Sequence, residues 1–74
     1  MDALEDGNFD AFVVWAEARD DAIALDIAIV AGARKGDVVT VVTRAYAHRD
    51  ALALVGLPCT LVVERGEPRV AFAT

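Results

Sequence analysis

A few small groups of residues in this chain have side chains capable of chemistry. His48 and Cys59 are its single histidine and single cysteine. An imidazole beside a thiol can act as a base–nucleophile dyad when a third group orients it. The sequence contains no serine, so other nucleophilic arrangements are scarce. The two residues read instead as a solvated connector histidine and a buried thiol that packs as a small hydrophobe, and the chain reads as no enzyme. Glu17, Asp20 and Asp21 could gather a divalent cation. They lack the glycine and the ligand spacing of a calcium loop, so a solvated turn is expected, with no metal and no cofactor.

Two further groups suit binding. Gly32-Ala33-Arg34-Lys35-Gly36 is a glycine-bracketed loop with two adjacent bases at its tip. It is not a phosphate-binding loop, which needs four residues between the glycines and then Lys-Ser/Thr opening a helix. One reading is a hairpin loop whose glycines supply positive φ. The other adds Arg34 and Lys35 as phosphate contacts. Arg44, Tyr46, His48 and Arg49 form an aromatic–basic cluster. Single-strand binders pair a basic groove with aromatics on which bases stack. Tyr46 could instead pack at the core edge through its apolar ring, with Arg44 and Arg49 in solvent.

The elements that must position these groups follow from hydrophobic period. Ile23, Leu25, Ile27 and Ile29 alternate with Ala24, Asp26 and Ala28, so the large side chains share one face of a strand. Phe9–Ala16 is rich in β-formers and predicts the first strand; a helix over 9–18 is its rival. Asp20-Asp21 makes a turn, and Ala22–Ala31 is the second strand. Val38–Arg44 is the third, with valines on both faces, which predicts a central strand covered on both sides. Asp50 can cap a short helix, Ala51–Val55, closed by Gly56 and Pro58. Thr60–Glu64 and Arg69–Ala73 are the last strands, joined by a turn that needs Gly66 in the left-handed region. Pro68 belongs at a strand start or edge.

Seventy-four residues make one domain near the lower limit for a self-sufficient core; residues 1–7 are expected to be flexible. A lone cysteine permits no internal disulfide and suits a reducing cytosol, so a cytoplasmic location is expected. The acidic opening Met1–Asp6 does not read as a secretory leader. No apolar run reaches the roughly 18 residues needed to span a bilayer. Residues 1–26 carry eight acids and one base, −7, and residues 27–74 carry six bases and four acids, +2, giving the net −5. Net acidity disfavours general adhesion to nucleic acid but leaves room for a local basic patch.

The order β-β-β-α-β-β resembles that of the oligonucleotide/oligosaccharide-binding barrel, the OB-fold, over nearly the whole chain. The short helix would plug one end with Leu52 and Val55. The stretch from Ile27 to Val39 is also similar to a strand–Gly–x–x–Lys–Gly–strand hairpin of small phage and plasmid proteins linked to single-stranded DNA. The resemblance implies a mainly β, five-stranded OB-like barrel with one short helix. It implies a non-catalytic module that binds single-stranded nucleic acid through the strand 2–3 face, by Arg34, Lys35, Arg44, Tyr46 and Arg49. The alternative partner is another protein, or a second copy in a homodimer, with the barrel as scaffold.

Overall fold

The computed structural model describes residues 5–46 and 50–72. Its elements are β1 (Gly7–Arg19), β2 (Ala22–Ile29), β3 (Val38–Thr43), α1 (Ala51–Leu54), β4 (Pro58–Glu64) and β5 (Glu67–Phe72). The five strands form one antiparallel sheet in the order β3-β2-β1-β4-β5. The mainly β class and the element order are those read from the sequence, and the rival helix over 9–18 does not form. No helix among the described residues is long and apolar enough to cross a membrane.

Strand β1 is longer than the sequence suggested because it serves two ladders. Its first part, Gly7–Phe12, pairs with β4. Its later part, Ala11–Arg19, pairs with β2. Where β4 ends, the loop after α1 takes over: Val13 N–H donates to Leu57 O at 3.0 Å, and Gly56 N–H donates to Val13 O at 2.7 Å.

The inward residues of every strand meet in one core. Val13, Ile23, Leu25, Ile27, Ile29, Leu61 and Val63 are buried in it. The alternation of β2 holds as read: its isoleucines and leucine all point inward. The core is closed from one side by α1. Asp50 caps this single turn, its carboxylate accepting from Leu52 N–H at 3.1 Å. Gly56 follows with φ of 89°, the left-handed stop expected there. The plug itself differs from expectation. Leu54 is buried, Val55 is half-buried against the core, and Leu52 is 70% exposed. One helical turn can aim only part of its circumference inward, and here that arc falls on Leu54.

Strand β3 is also placed differently. It is an outermost strand, not a central one. Val41 is buried, but Val38 and Val42 are 59% and 58% exposed. Valines on both faces of a short strand can signal two-sided burial, but they equally reflect β propensity at a half-solvated edge.

The two outermost strands, β3 and β5, approach each other without hydrogen-bonding into a closed ladder. Tyr46, just past β3, bridges the seam. Its hydroxyl donates to Val70 O at 3.1 Å, and its ring meets Phe72 edge-on at 4.8 Å.

The β4–β5 turn is tight. Arg65 and Gly66 have φ of 54° and 77°, the pattern of a two-residue turn whose twist matches its strands. Asp6 secures it from a distance, its two carboxylate oxygens accepting from Arg65 N–H at 2.9 Å and Gly66 N–H at 3.1 Å.

Two stability measurements check this account. Leu54→Ala should destabilise by about 2–5 kcal/mol in chemical denaturation, with Leu52→Ala within about 0.5 kcal/mol of the parent. Equal effects would mean that α1 does not present Leu54 to the core. Gly66→Val should lower stability by roughly 1 kcal/mol or more, because a β-branched residue resists positive φ; an unchanged midpoint would exclude the left-handed turn.

Candidate binding face

The outer face of β1, β2 and β3 carries most of the exposed large hydrophobic side chains among the described residues: Phe12, Val14, Trp15, Val38 and Val42. It is built by register. Val38, Ala28 and Phe12 lie side by side across the three strands; so do Thr40, Asp26 and Trp15, and then Val42, Ala24 and Glu17. The small residues of β2 make a floor between larger residues on β1 and β3. Ala24 is buried beneath its neighbours yet belongs to this face and not to the core cluster.

A bulge widens the β1 side. Val13 pairs with Ile27 and Trp15 with Asp26, which leaves Val14 as the extra residue. Val14 and Trp15 are consequently both exposed, Trp15 by 51%, between buried Val13 and Ala16. In the middle of the face, Asp26 is half-buried and accepts from the Thr40 hydroxyl at 2.8 Å. This fixes the one carboxylate of the central row as a hydrogen-bond acceptor.

Of the residues expected to bind nucleic acid, the described ones do not converge on this face. Arg34 and Lys35 occupy the β2–β3 loop, where Gly32 and Gly36 have the positive φ the sequence calls for, 83° and 97°. Arg34 is half-buried and lies 3.6 Å from the Asp37 carboxylate. Lys35 is exposed, with no ion pair among the described residues. Arg44 is at the other end of β3, 3.3 Å from Asp21. The six residues of β3 put about 20 Å between the two basic ends. Tyr46 turns toward the β3–β5 seam and the core. Arg49 and His48 lie outside the described residues.

The remaining chemical candidates are dispersed too. Glu17 pairs with Arg19 at 3.6 Å, while Asp21 serves Arg44. Cys59 is buried opposite Ala11, and burial pushes its thiol above the usual thiol range, the reverse of an activated nucleophile. Concavities lie away from the apolar face. One of about 400 Å³ is flanked by Phe9, Asp10, Ala31 and Arg34; another, of about 350 Å³, is walled by Glu64, Arg65, Glu67 and Arg69. Both are open, and neither has the enclosed apolar lining of a small-molecule site.

Phe12, Val14, Val38 and Val42 were not among the candidates read from the sequence. A signal was present in β2, whose outward residues are small while the adjacent strands carry large ones. It becomes a surface only when the strand order is known.

Comparison with known protein families, with curated proteins and with solved structures finds no match.

Tyr46→Phe tests the seam. It keeps the ring contact with Phe72 and removes the bond to Val70 O, so stability should fall by about 0.5–1.5 kcal/mol. Tyr46→Ala should lose appreciably more by denaturant titration. If both variants match the parent, the tyrosine does not hold β3 and β5 together.

Proposed function

We propose that this protein is a non-catalytic binding module whose outer β1–β3 face receives a polypeptide. The observation that carries the reading is the composition of the face. Phe12, Val14, Trp15, Val38 and Val42 stand around an alanine floor, with one fixed acid at the centre and no base among them. Apolar and aromatic residues drive protein association by burial, and a small number of polar groups sets orientation.

In the OB-like reading of the fold, the strand 2–3 face is the ligand face. A nucleic-acid ligand would need cations along it, because phosphate neutralisation dominates such binding. Arg34 and Arg44 are instead each matched by an acid and sit at opposite ends. One observation favours the nucleic-acid reading: Phe12 and Trp15 are exposed rings on which bases could stack.

Trp15 is the only tryptophan, so its fluorescence reports directly on the face. Peptides selected from a random display library should be rich in alternating aliphatic residues. They should shift Trp15 emission to the blue and bind roughly tenfold more weakly to Val42→Asp, a difference of about 1.4 kcal/mol. Oligothymidylate at low salt should give no saturable change up to about 50 micromolar protein, within the range of non-specific contact. Saturable oligonucleotide binding that falls with salt by about −0.7 in log–log slope per contact, and weakens in Lys35→Glu, would replace the polypeptide by single-stranded nucleic acid.

A further inference from the structure

The two edges of the sheet are treated very differently by the sequence. β5 reads Glu67-Pro68-Arg69-Val70-Ala71-Phe72. Charge and proline are standard devices that stop an edge from pairing with another chain. β3 reads Val38-Val39-Thr40-Val41-Val42-Thr43. All of its residues are β-branched, and it has no charge, glycine, proline or bulge.

The free groups of this edge follow from its pairing with β2. Ile29 N–H donates to Asp37 O at 2.9 Å. Bonded and non-bonded positions alternate along an antiparallel ladder. Val39, Val41 and Thr43 therefore turn their main-chain groups toward β2, and Val38, Thr40 and Val42 turn theirs outward. Among the described residues, no hydrogen bond reaches those outward groups, although β5 lies nearby.

The sequence of the edge is also its own mirror. Val38-Val39-Thr40-Val41-Val42 reads the same in both directions. We propose that β3 is the docking edge for a second copy of this chain, paired antiparallel about a two-fold axis through Thr40. In that register Val38 faces Val42 of the second copy, Thr40 faces Thr40, and Val39 faces Val41. The outward-turned groups are those of Val38, Thr40 and Val42, so every facing pair among them can exchange two hydrogen bonds. A two-fold contact requires such self-complementarity.

Charge does not oppose this register: Thr43 falls opposite Asp37 of the second copy and Arg44 opposite Gly36, so no two like charges face each other. The inference takes its class of partner from the polypeptide reading above but rests on the main-chain edge of β3, which shares Val38 and Val42 with that face, while Trp15 stands two strands away from the edge.

Sedimentation of the full chain from micromolar to millimolar concentration tests it. The parent should show a reversible monomer–dimer equilibrium. Val38→Lys with Val42→Lys opposes lysine to lysine across the axis and should weaken association roughly tenfold. Val38→Glu with Val42→Lys opposes unlike charges in this register alone and should restore it. Both positions are exposed, and circular dichroism will verify that the variants fold. Trp15→Ser should leave the dimer intact while weakening the selected peptides. A parent that stays monomeric, or a Glu/Lys variant no better than the Lys/Lys variant, overturns the proposal. Association lost in Trp15→Ser but kept in Lys/Lys overturns it as well and moves self-contact to the face. Failure of peptide binding alone would sink the polypeptide reading and leave the edge proposal standing.

Discussion

Gly7–Phe12 of β1 bond to β4, and Ala11–Arg19 bond to β2, so a single strand carries a ladder on each edge. The two ladders overlap only at Ala11 and Phe12. That offset lets five short strands wrap a core that a flat sheet of this size could not enclose. It also demands local irregularity. Past Phe12, the β4 side of β1 is met by Gly56 and Leu57 instead of a strand, and on the β2 side the extra residue Val14 breaks the register. A bulge bends its strand and strengthens the twist. The same bulge exposes Val14 and Trp15 together. The irregularity that helps the sheet curl is therefore also what builds the β1 wall of the candidate face.

Curling brings β3 and β5 toward each other but leaves the ladder between them unformed. Side chains do what the main chain does not: Tyr46 reaches over to Val70 and Phe72. A hydroxyl on a large apolar ring suits this role, because the ring covers core while the oxygen satisfies a carbonyl. This arrangement fixes the curl without spending the outward groups of Val38, Thr40 and Val42. An edge left unpaired in a stable fold is normally shielded, as β5 is by Pro68 and its charged neighbours. The absence of charge and proline from β3 itself is the asymmetry that a pairing partner would explain.

The sequence was legible where one rule acted alone. The alternation in β2, the Asp50 cap, the Gly56 stop and the left-handed Gly66 all depend on local geometry, and all stand where period and residue type put them. Strand order does not follow from local geometry. Nothing in Val38–Thr43 distinguishes a buried central strand from an open edge, since β-branched residues suit both. The inward arc of α1 depended on the loop that carries it, so Leu52 and Leu54 could not be told apart. For the site, the bases were visible as residue types, but their separation and their acidic neighbours were not. Asp21 reaches Arg44 across the turn from β1 into β2, a contact without any signature in linear spacing.

Those ion pairs bear on what the face could select. Arg34 with Asp37 marks one end of β3, and Arg44 with Asp21 marks the other. Exposed pairs of this kind contribute little to stability. Their consequence is electrostatic in another sense: each of these arginines is matched by an acid, and of the carboxylates in the span between, Asp26 is engaged by Thr40 and Glu17 by Arg19. A polyanion would find no continuous positive track. A polycation would find Asp26 and Glu17, each with part of its accepting capacity in use. A ligand of low charge gives up the least hydration on entering and gains the burial of Phe12, Trp15, Val38 and Val42. Discrimination on such a surface rests on shape and on main-chain hydrogen bonding, and the unshielded edge of β3 supplies the second of these directly beside the first.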